Sequence, residues 1–513
     1  MRVETSLNLH KKRISPKAIF LICFVAMLYC PFVYMQVMSY YVEDTIIQIK
    51  TGMDCLKFKT FIPLERYSWH ENLNWAKHEV AWYYVAGITY KLFGVAGIIG
   101  VVALINYAIA GICVKVNYKK VHPLIIVMSA CIARFLSFPN YNARPHLFSQ
   151  LAFTILVCVM LSERSIKAKG ITFVIALWLT AWFHGGMMPI ILATFAIFTV
   201  MEFIFKNYKV GIKYAVTLVI GFLVSLLNPI GFDAWLYPFK MTGESAQYIM
   251  SYNQEFQPKT FSMIEMILIL LIIIGFAVDD RLRKFDKNTI IRLCFFCMFL
   301  IISATHCRFM NFLALTAFLL CTEQLQILLD WINNNVFKIN KKIFDFNKIS
   351  YYILTVFCVG YALFISVFSW MTYFPTNTMS DISSMAAYDE GVIDFIKSKD
   401  YKKIYNNFDT GTWLAFYDIK VHIDNRQDLY MPQFSGEDYF NGYLVMTDIS
   451  QADEFVQKYS PDAFVIESYP GTTDEFLIED MVNSGRYKIV YDNICVSNYD
   501  PNSSLRWTVL ECN

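Results

Sequence analysis

Runs of about 20 apolar residues recur along most of this 513-residue sequence. As helices, such runs are long enough to cross a hydrocarbon layer of roughly 30 Å. Hydrophobic residues make up 56% of the chain and charged residues only 17%, which excludes an ordinary soluble globule. The sequence therefore predicts a polytopic α-helical membrane protein. The eleven candidate spans are 17–38, 95–116, 122–139, 145–162, 170–183, 185–206, 212–228, 261–279, 290–305, 308–326 and 351–374.

Basic residues in the short loops predict the orientation of these spans. The segment 80–93 is apolar but only about 14 residues long, so we interpret it as an interfacial helix or a lead-in to 95–116. If 80–116 is one crossing, the Lys- and Arg-rich loops all fall on the side of the N-terminus, which the positive-inside rule assigns to the cytoplasm. The first outer loop (39–79), the loop 229–260 and the C-terminal tail then share the extracytoplasmic face.

The pattern changes near residue 389, where short helix-like and strand-like stretches replace the long apolar runs. This alternation is typical of a small α/β domain. We predict a transmembrane domain at 1–375 and an extracytoplasmic α/β domain at 376–513. The expected helices are near 388–398, 450–459 and 473–484, and the expected strands near 403–407, 420–424, 463–467, 487–491 and 506–511. Cys495 and Cys512 of this tail could pair in an oxidising compartment, although their spacing does not require it.

Polar residues gather at the ends of the predicted spans. Ionisable groups near a membrane are energetically costly, so they are candidate functional groups. Under the orientation given by Lys and Arg alone, all of these clusters face the extracytoplasmic side. They contain Glu43 and Asp44, His78 and Glu79, Arg144, His184, Glu255 and Arg308. The sequence thus predicts one polar, concave site on the outer face.

These residue types suit group transfer from a lipid-linked phosphate. An acid such as Asp44 can take a proton from an incoming hydroxyl or amine. Arg144 and Arg308 each offer a fork of donors that matches a phosphate or diphosphate. Simpler interpretations stay open, because both arginines could reach lipid head groups and His184 with its two following glycines could form only a tight turn. A net charge of +2 without a basic stripe gives no reason to expect a nucleic-acid partner.

Short motifs along nearly the whole chain resemble those of one family. The first outer loop carries Asp44, Thr51-Gly52, Pro63, Ser68-Trp69, Trp75 and His78-Glu79. Later motifs are Ala143-Arg144-Pro145, Trp182-Phe183-His184-Gly185-Gly186, Asn228-Pro229-x-Gly231, Glu255-Phe256, Arg308, Gly411-x-Trp413 and Ile423-Asp424-Asn425-Arg426-x-Asp428-Leu429-Tyr430. These motifs resemble a poorly characterised bacterial branch of the C-type (GT-C) integral-membrane glycosyltransferases. That superfamily contains protein O-mannosyltransferases, the aminoarabinose transferase of lipid A and the oligosaccharyltransferases.

The resemblance implies an inverting sugar transfer from a polyprenyl-phosphate donor to a glycan, lipid or protein acceptor of the cell envelope. It also implies a catalytic acid in the first outer loop, which Asp44 matches, with Glu43 as the second choice. Gln48 departs from the branch, which often has a histidine at this place. The residues expected to bind substrate are His78, Glu79, Arg144, His184, Glu255, Arg308, Asp424 and Arg426. Asp424, Arg426 and Asp428 could equally form a charged turn at the end of a strand.

No cofactor is expected from the sequence. Some members of the superfamily use a divalent metal and others do not. Side chains that could act as ligands here are those of Asp44, His78, Glu79 and His184.

Two other functions stay open. A transporter or flippase of lipid-linked sugars would favour polar groups near the bilayer midplane and repeated halves, whereas here the polar groups lie at span ends and no repeat is visible. A polymerase or ligase of surface polysaccharide would depend on arginines such as Arg308 more than on an acid after the first span. Comparing Asp44 and Arg308 variants separates this last possibility from a polyprenyl-phosphate-dependent transferase.

Overall fold

The structure is a computed structural model that describes residues 43–137, 143–241, 254–335, 389–440, 443, 446–496 and 504–513. The predicted spans at 17–38 and 351–374 lie outside these residues. The predicted domain boundary at 375/376 also lies outside them, so that division stays a prediction.

Helices form the described part of the chain before the tail. They are α1 (Glu43–Phe58), α2 (Val80–Asn117), α3 (Pro123–Leu136), α4 (His146–Leu161), α5 (Ile166–Phe183), α6 (Met188–Ile204), α7 (Tyr208–Ser225), α8 (Asp233–Lys240), α9 (Met263–Ala277), α10 (Asp280–Arg283), α11 (Lys287–Thr305), α12 (Met310–Leu320) and α13 (Thr322–Asn335). Short 3₁₀ turns precede α6 and α12, and a third lies at Gln254–Phe256.

Five helical segments in the described ranges are long and apolar enough to cross a membrane: α2, α5, α6 with its preceding turn, α7 and α11. A sixth is added if Cys307–Leu320 and Thr322–Ile332, which are bent by 59°, count as one span. The helices α3, α4 and α9 are apolar but shorter. Each of the nine spans predicted between residues 95 and 326 overlaps one of these helices, while the total of eleven crossings stays a prediction.

The segment 80–93 and the predicted span at 95–116 lie in one 38-residue helix, α2. This helix is broken at Gly94, whose φ of 61° and ψ of −152° lie outside the helical region. Glycine adopts a positive φ at little steric cost because it has no Cβ atom. The structure therefore shows that 80–93 is helical and continues into the next predicted span across a break at Gly94, while its place relative to the membrane stays a prediction.

Phenylalanines pack between the membrane helices. Phe153 of α4 lies edge-on to Phe295 and Phe299 of α11 and to Phe312 of α12, with ring centroids 5.4 to 5.9 Å apart. Edge-to-face pairs at such distances contribute about 0.5–1.5 kcal/mol each beyond the burial of their area. This packing fixes the helices whose outer ends carry the predicted polar clusters.

The tail forms a four-stranded sheet with helices around it. Its elements are α14 (Glu390–Lys399), β1 (Ile404–Asn406), α15 (Phe408–Phe416), α16 (Pro432–Ser435), α17 (Ile449–Tyr459), β2 (Ala463–Ser468), α18 (Thr473–Asn483), β3 (Tyr487–Val496) and β4 (Ser504–Cys512). The strand order is β1-β2-β4-β3, with β1 and β2 parallel and the other neighbours antiparallel. The three predicted helices and four of the five predicted strands are confirmed. The strand predicted at 420–424 is wrong, because this stretch makes only an isolated bridge, from Val421 to Ser68.

Cys495 and Cys512 are free thiols at opposite ends of the β3–β4 hairpin. Cys495 is paired with Leu505, whereas Cys512 is paired with Tyr487 at the other end of the ladder. Eight residues of strand at about 3.3 Å per residue separate the two positions, which is far too much for a disulfide.

The tail packs directly on the first outer loop and on the membrane helices. The backbone N–H of Val421 donates to the carbonyl of Tyr67 at 2.8 Å, and the N–H of Trp69 donates to the carbonyl of Val421 at 3.2 Å. Leu429 and Tyr430 of the tail belong to the same buried hydrophobic cluster as residues of α2, α4 and α12. The outer loop and the tail therefore form one joined surface above the membrane helices.

Candidate active site

A cavity of about 450 Å³ lies where α1, the outer ends of the membrane helices and the tail meet. Eight of the ten predicted site residues line it: Asp44, His78, Glu79, Arg144, His184, Glu255, Arg308 and Arg426. Glu43 is the first residue of α1. Asp424 does not line the cavity but is completely buried against Arg426. The predicted convergence of the outer polar clusters into one site is therefore seen in the structure, although the role of each residue stays a prediction.

The helix α1 supplies one wall of the cavity. Asp44, Ile47, Gln48 and Thr51 line it, and their spacing of three, four and seven residues puts them on one helix face. The sequence reasoning treats residues 39–79 as a polar loop, and the structure corrects this for 43–58. The helical spacing of the four lining residues is the signal that this interpretation overlooks.

Two glycines let α1 cross α2 at close range. A Cβ atom on Gly52 would lie 1.8 Å from the carbonyl oxygen of Tyr83, and one on Gly87 would lie 2.4 Å from the carbonyl carbon of Gly52. Only a residue without a side chain fits at either position. The Thr51-Gly52 motif of the outer loop is thus explained by helix packing that places the Asp44 face beside Glu79.

Arg144 joins two of the predicted acids. Its guanidinium forms ion pairs with Asp44 and with Glu255. Burial raises the pKa of Asp44, and the nearby Arg144 offsets this effect only in part. Burial also acts to raise the pKa of Glu255, but Arg144 and Arg308 outweigh it and hold that pKa below its usual value. Burial in the cavity therefore favours the proton-bound form of Asp44, whereas the two arginines favour the ionised form of Glu255.

Arg308 presents an uncommitted positive charge to the cavity. Within the described ranges its guanidinium makes no hydrogen bond or ion pair, and it lies over the ring of Phe256, 4.9 Å from the centroid. A guanidinium on an aromatic face keeps its in-plane N–H groups available for an anion. Of the two predicted phosphate-binding arginines, Arg308 is therefore the available one, whereas Arg144 is already paired with two carboxylates.

Glu79 is surrounded by three side chains. Gln48 donates from Nε2 to Glu79 Oε2 at 2.8 Å, while Nε2 of His78 lies 3.3 Å and Nε2 of His184 lies 3.9 Å from Oε1. Burial acts to lower the pKa of His78, but the Glu79 carboxylate raises it above the usual value. Burial and the charge of Arg308 instead lower the pKa of His184. Of the two histidines, His78 is thus the one whose protonation Glu79 favours, and Gln48 orients that carboxylate.

Arg426 fastens the tail to the first outer loop. Its Nη2 donates to Asp424 Oδ2 at 2.5 Å, and its guanidinium also pairs with Glu65. The rings of Tyr67 and Trp75 lie on the guanidinium, each with its centroid 4.8 Å away. These contacts give Arg426 and Asp424 a clear structural function, and a direct contact with substrate stays a prediction for both.

Several buried polar atoms around the cavity have no hydrogen-bond partner among the described residues. They are Thr51 Oγ1, Arg144 Nε, Gln150 Nε2, His184 Nδ1 and Asp428 Oδ2. Buried polar groups are nearly always paired in folded proteins, so this cluster indicates a cavity shaped for a polar ligand. Sequence reasoning missed Gln150 as a site residue, although a glutamine inside an apolar span was an available signal. It noted Asp428 only as a member of the tail motif and did not predict that it lines the cavity.

No group of three or more His, Cys, Asp or Glu side chains in the described parts of the chain is arranged to hold a metal ion. Among the four residues suggested as ligands, Asp44 faces the guanidinium of Arg144, and Glu79 faces His78 and Gln48. The described side chains therefore do not fit a divalent cation at this place.

No protein-family model and no curated protein matches the sequence. Among solved structures, ArnT from Cupriavidus metallidurans in the apo state is similar at a TM-score of 0.54, with 11% identity over 97% of this chain and 98% of ArnT. The archaeal oligosaccharyltransferase AglB from Archaeoglobus fulgidus, in complex with an inhibitory peptide and a dolichol-phosphate, is similar at a TM-score of 0.52. That match has 12% identity over 88% of this chain and 69% of AglB. The chain therefore has the GT-C fold, as the motif resemblance implied.

Proposed function

We propose that this protein is a membrane glycosyltransferase that moves a sugar from a polyprenyl-phosphate donor to a cell-envelope acceptor at the extracytoplasmic face. The GT-C fold supports the reaction class, and the dolichol-phosphate in the AglB complex supports the chemistry of the donor. The observation that carries the proposal is Arg308, which has no ion-pair partner among the described residues and shares a cavity with Asp44, whose pKa is raised by burial.

Arg308 binds the phosphate of the donor in this proposal. Its free guanidinium forms charge-assisted hydrogen bonds with phosphate oxygens, which are about twice as strong as neutral ones. The unpaired Nε of Arg144 and Nε2 of Gln150 supply further donors along the same cavity. The apolar walls of the neighbouring helices suit the isoprenoid chain.

Asp44 acts as the general base. Its carboxylate takes the proton from the acceptor hydroxyl or amine, and the freed nucleophile attacks the anomeric carbon of the sugar. The bond from that carbon to the phosphate oxygen breaks, and polyprenyl phosphate leaves with its charge held by Arg308. Attack opposite the leaving group inverts the anomeric configuration. Burial suits Asp44 for this step because a raised pKa makes its carboxylate a stronger base.

The test uses purified full-length protein, a radiolabelled polyprenyl-phosphate hexose and cell-envelope membranes as acceptor. Loss of a general base lowers a rate by about 10²–10⁴-fold, so Asp44→Asn is expected to abolish transfer while polyprenyl phosphate still binds. Arg308→Gln is expected to weaken the binding of polyprenyl phosphate itself. Asp233→Asn, at an exposed acid outside the cavity, is the matched control and retains activity. Full transfer by Asp44→Asn would show that another group is the base.

Analysis of the products separates the other possible functions. A flippase moves the lipid-linked sugar across the membrane with its glycosyl–phosphate bond intact, so no free polyprenyl phosphate is released. A polysaccharide polymerase that relies on arginine loses activity in Arg308→Gln and keeps it in Asp44→Asn. Loss of transfer in both variants, with release of polyprenyl phosphate by the wild type, is expected for the proposed reaction.

A further inference from the structure

Asp428 stands out among the acids of the cavity because its carboxylate lacks a full set of partners. It lines the cavity and is only 5% exposed, yet its Oδ2 accepts no hydrogen bond from any described residue. Leaving a buried acceptor unpaired costs about 1–3 kcal/mol, so an unpaired acceptor that faces a cavity is a candidate contact for a bound ligand.

The segment that carries Asp428 is held rigidly. It is a 3₁₀ turn, Gln427–Tyr430, whose Leu429 and Tyr430 are completely buried. The hydroxyl of Tyr430 donates to Asp424 Oδ2 at 2.9 Å, and Asp424 in turn holds Arg426. Because Arg426 on one side and Leu429 and Tyr430 on the other are buried, the backbone of Asp428 is held in place and its side chain is preorganised for binding.

Asp428 faces charged groups of both the first outer loop and the tail. The charged side chains that act on its carboxylate are chiefly those of His78, Arg426 and Glu79. The tail therefore brings a carboxylate close to His78 and Glu79 of the outer loop.

The surroundings of Asp428 define the chemistry of its ligand. A phosphate or carboxylate would be repelled by Asp428 and Glu79. A hydroxyl avoids this repulsion and supplies a donor for Asp428 Oδ2. Tyr237 stacks on His78 with ring centroids 4.0 Å apart, and its ring lines the same part of the cavity. Aromatic faces beside a hydrogen-bond acceptor suit a sugar ring.

We propose that Asp428 is an acceptor-binding residue that takes a hydrogen bond from a hydroxyl of a carbohydrate acceptor. The inference rests on the proposed glycosyl transfer and assigns the acceptor half of the cavity to the tail. Donor binding depends on Arg308 and proton removal on Asp44, so a change at Asp428 affects neither the affinity for the lipid carrier nor cleavage of the donor by water.

The experiment compares wild type, Asp428→Leu and Asp428→Asn as full-length proteins in three measurements. These are the affinity for polyprenyl phosphate, the slow hydrolysis of polyprenyl-phosphate hexose without acceptor, and transfer to envelope membranes at increasing membrane concentration. Asp428→Leu keeps similar volume but cannot hydrogen-bond, whereas Asp428→Asn retains one acceptor oxygen. Asp400→Asn, at an exposed carboxylate of the same tail, is the matched control.

We expect Asp428→Leu to bind polyprenyl phosphate and hydrolyse the donor within about twofold of wild type, while its KM for acceptor membranes rises at least about tenfold. The KM of Asp428→Asn for acceptor membranes is expected to lie between the values of wild type and Asp428→Leu. Asp400→Asn is expected to match wild type in all three measurements. An unchanged KM in Asp428→Leu would overturn the inference, and so would a parallel loss of carrier binding. A wild-type protein that neither hydrolyses nor transfers the hexose would instead overturn the proposed function.

Discussion

A buried charge lowers stability unless a partner compensates for it, and the cavity contains both situations. Arg144 sits between two carboxylates and is fully compensated. Asp428 is buried with an open oxygen, and burial raises its pKa to about 6. Removing the charge of Asp428 is therefore expected to raise stability and lower activity. Removing the charge of Arg144 is expected to lower both.

Asp428→Asn is expected to stabilise the folded protein above pH 6. The pKa of Asp428 is about 6 in the folded chain and 3.8 in the unfolded chain. Ionisation of Asp428 therefore lowers the free energy of unfolding as the pH rises from 3.8 to 6. The full difference amounts to about 3 kcal/mol. Thermal unfolding in detergent should give equal midpoints for wild type and variant at pH 4 and a higher midpoint for the variant at pH 7.5. Equal midpoints at both pH values would mean that Asp428 is compensated in the folded protein.

Arg144→Gln is expected to lower both stability and transfer. Removing one member of a fully buried ion-pair group costs about 3–5 kcal/mol. The cost is expected to be smaller here, because the side chains of Arg144 and Asp44 remain 16% and 29% exposed. The additional change Glu255→Gln removes one of the two carboxylates that are left without an ion-pair partner. The double variant should therefore recover part of the lost stability but not the transfer activity. A thermal-unfolding double-mutant cycle measures this coupling, and additive effects of the two changes would contradict the shared pairing.

For single residues, an ionisable side chain at the end of a predicted span was enough to identify site residues from the sequence. It did not show which of these residues form ion pairs with each other. Asp44, Arg144 and Glu255 are conspicuous in the sequence because acids and arginines are costly beside a membrane. Their pairing depends on how three distant segments meet, which no local pattern encodes. The tail motif pointed to Asp428, but its burial in the cavity could not be predicted, because a carboxylate in a polar tail is ordinarily exposed.

Among the elements, α1 controls the geometry of the site through its crossing with α2. Gly52→Ala puts a methyl group 1.8 Å from the carbonyl oxygen of Tyr83, so α1 must move away from α2. Overpacking of this kind costs about 1–3 kcal/mol, and the shift also displaces Asp44 from Arg144. We expect lower thermal stability together with reduced transfer.

Gly111→Ala in α2 is the control for this prediction. Apart from the backbone of α2 itself, no atom of the described residues lies within 4 Å of a Cβ atom at this position, and alanine favours a helix over glycine by about 1 kcal/mol. The control should therefore be neutral or slightly stabilising and fully active. Equal behaviour of the two alanine variants would show that the close crossing at Gly52 is unimportant.

The apolar spans and the elements of the tail were readable from the sequence because each has a strong periodic pattern. The helix α1 was not, because its buried face mixes Asp44, Gln48 and Thr51 with isoleucines and so resembles a polar loop. Its burial is completed by the tail, which a local pattern does not show. The failed strand at 420–424 has a related cause, since this alternating stretch pairs with the outer loop at Ser68 in place of a sheet neighbour.

For the whole molecule, the site exists only because the outer loop and the tail dock on each other. Arg426 links Glu65 of the loop to Asp424 of the tail, and residues of both parts line the cavity. Such an arrangement requires the loop and the tail to be on the same side of the membrane. The orientation predicted from Lys and Arg satisfies this requirement and further assigns that side to the exterior.

Labelling of cysteines by a membrane-impermeant maleimide tests that orientation. Cys512 is an exposed free thiol at the end of β4, so intact spheroplasts should label it, and Cys512→Ser should remove the signal. A cysteine introduced as Arg283→Cys into the Cys512→Ser protein occupies an exposed position in a basic loop predicted to be cytoplasmic. It should react only after permeabilisation, because the reagent cannot cross the lipid bilayer. Labelling of residue 283 but not of Cys512 in intact spheroplasts would reverse the orientation and place the cavity, with its proposed acceptor chemistry, on the cytoplasmic side.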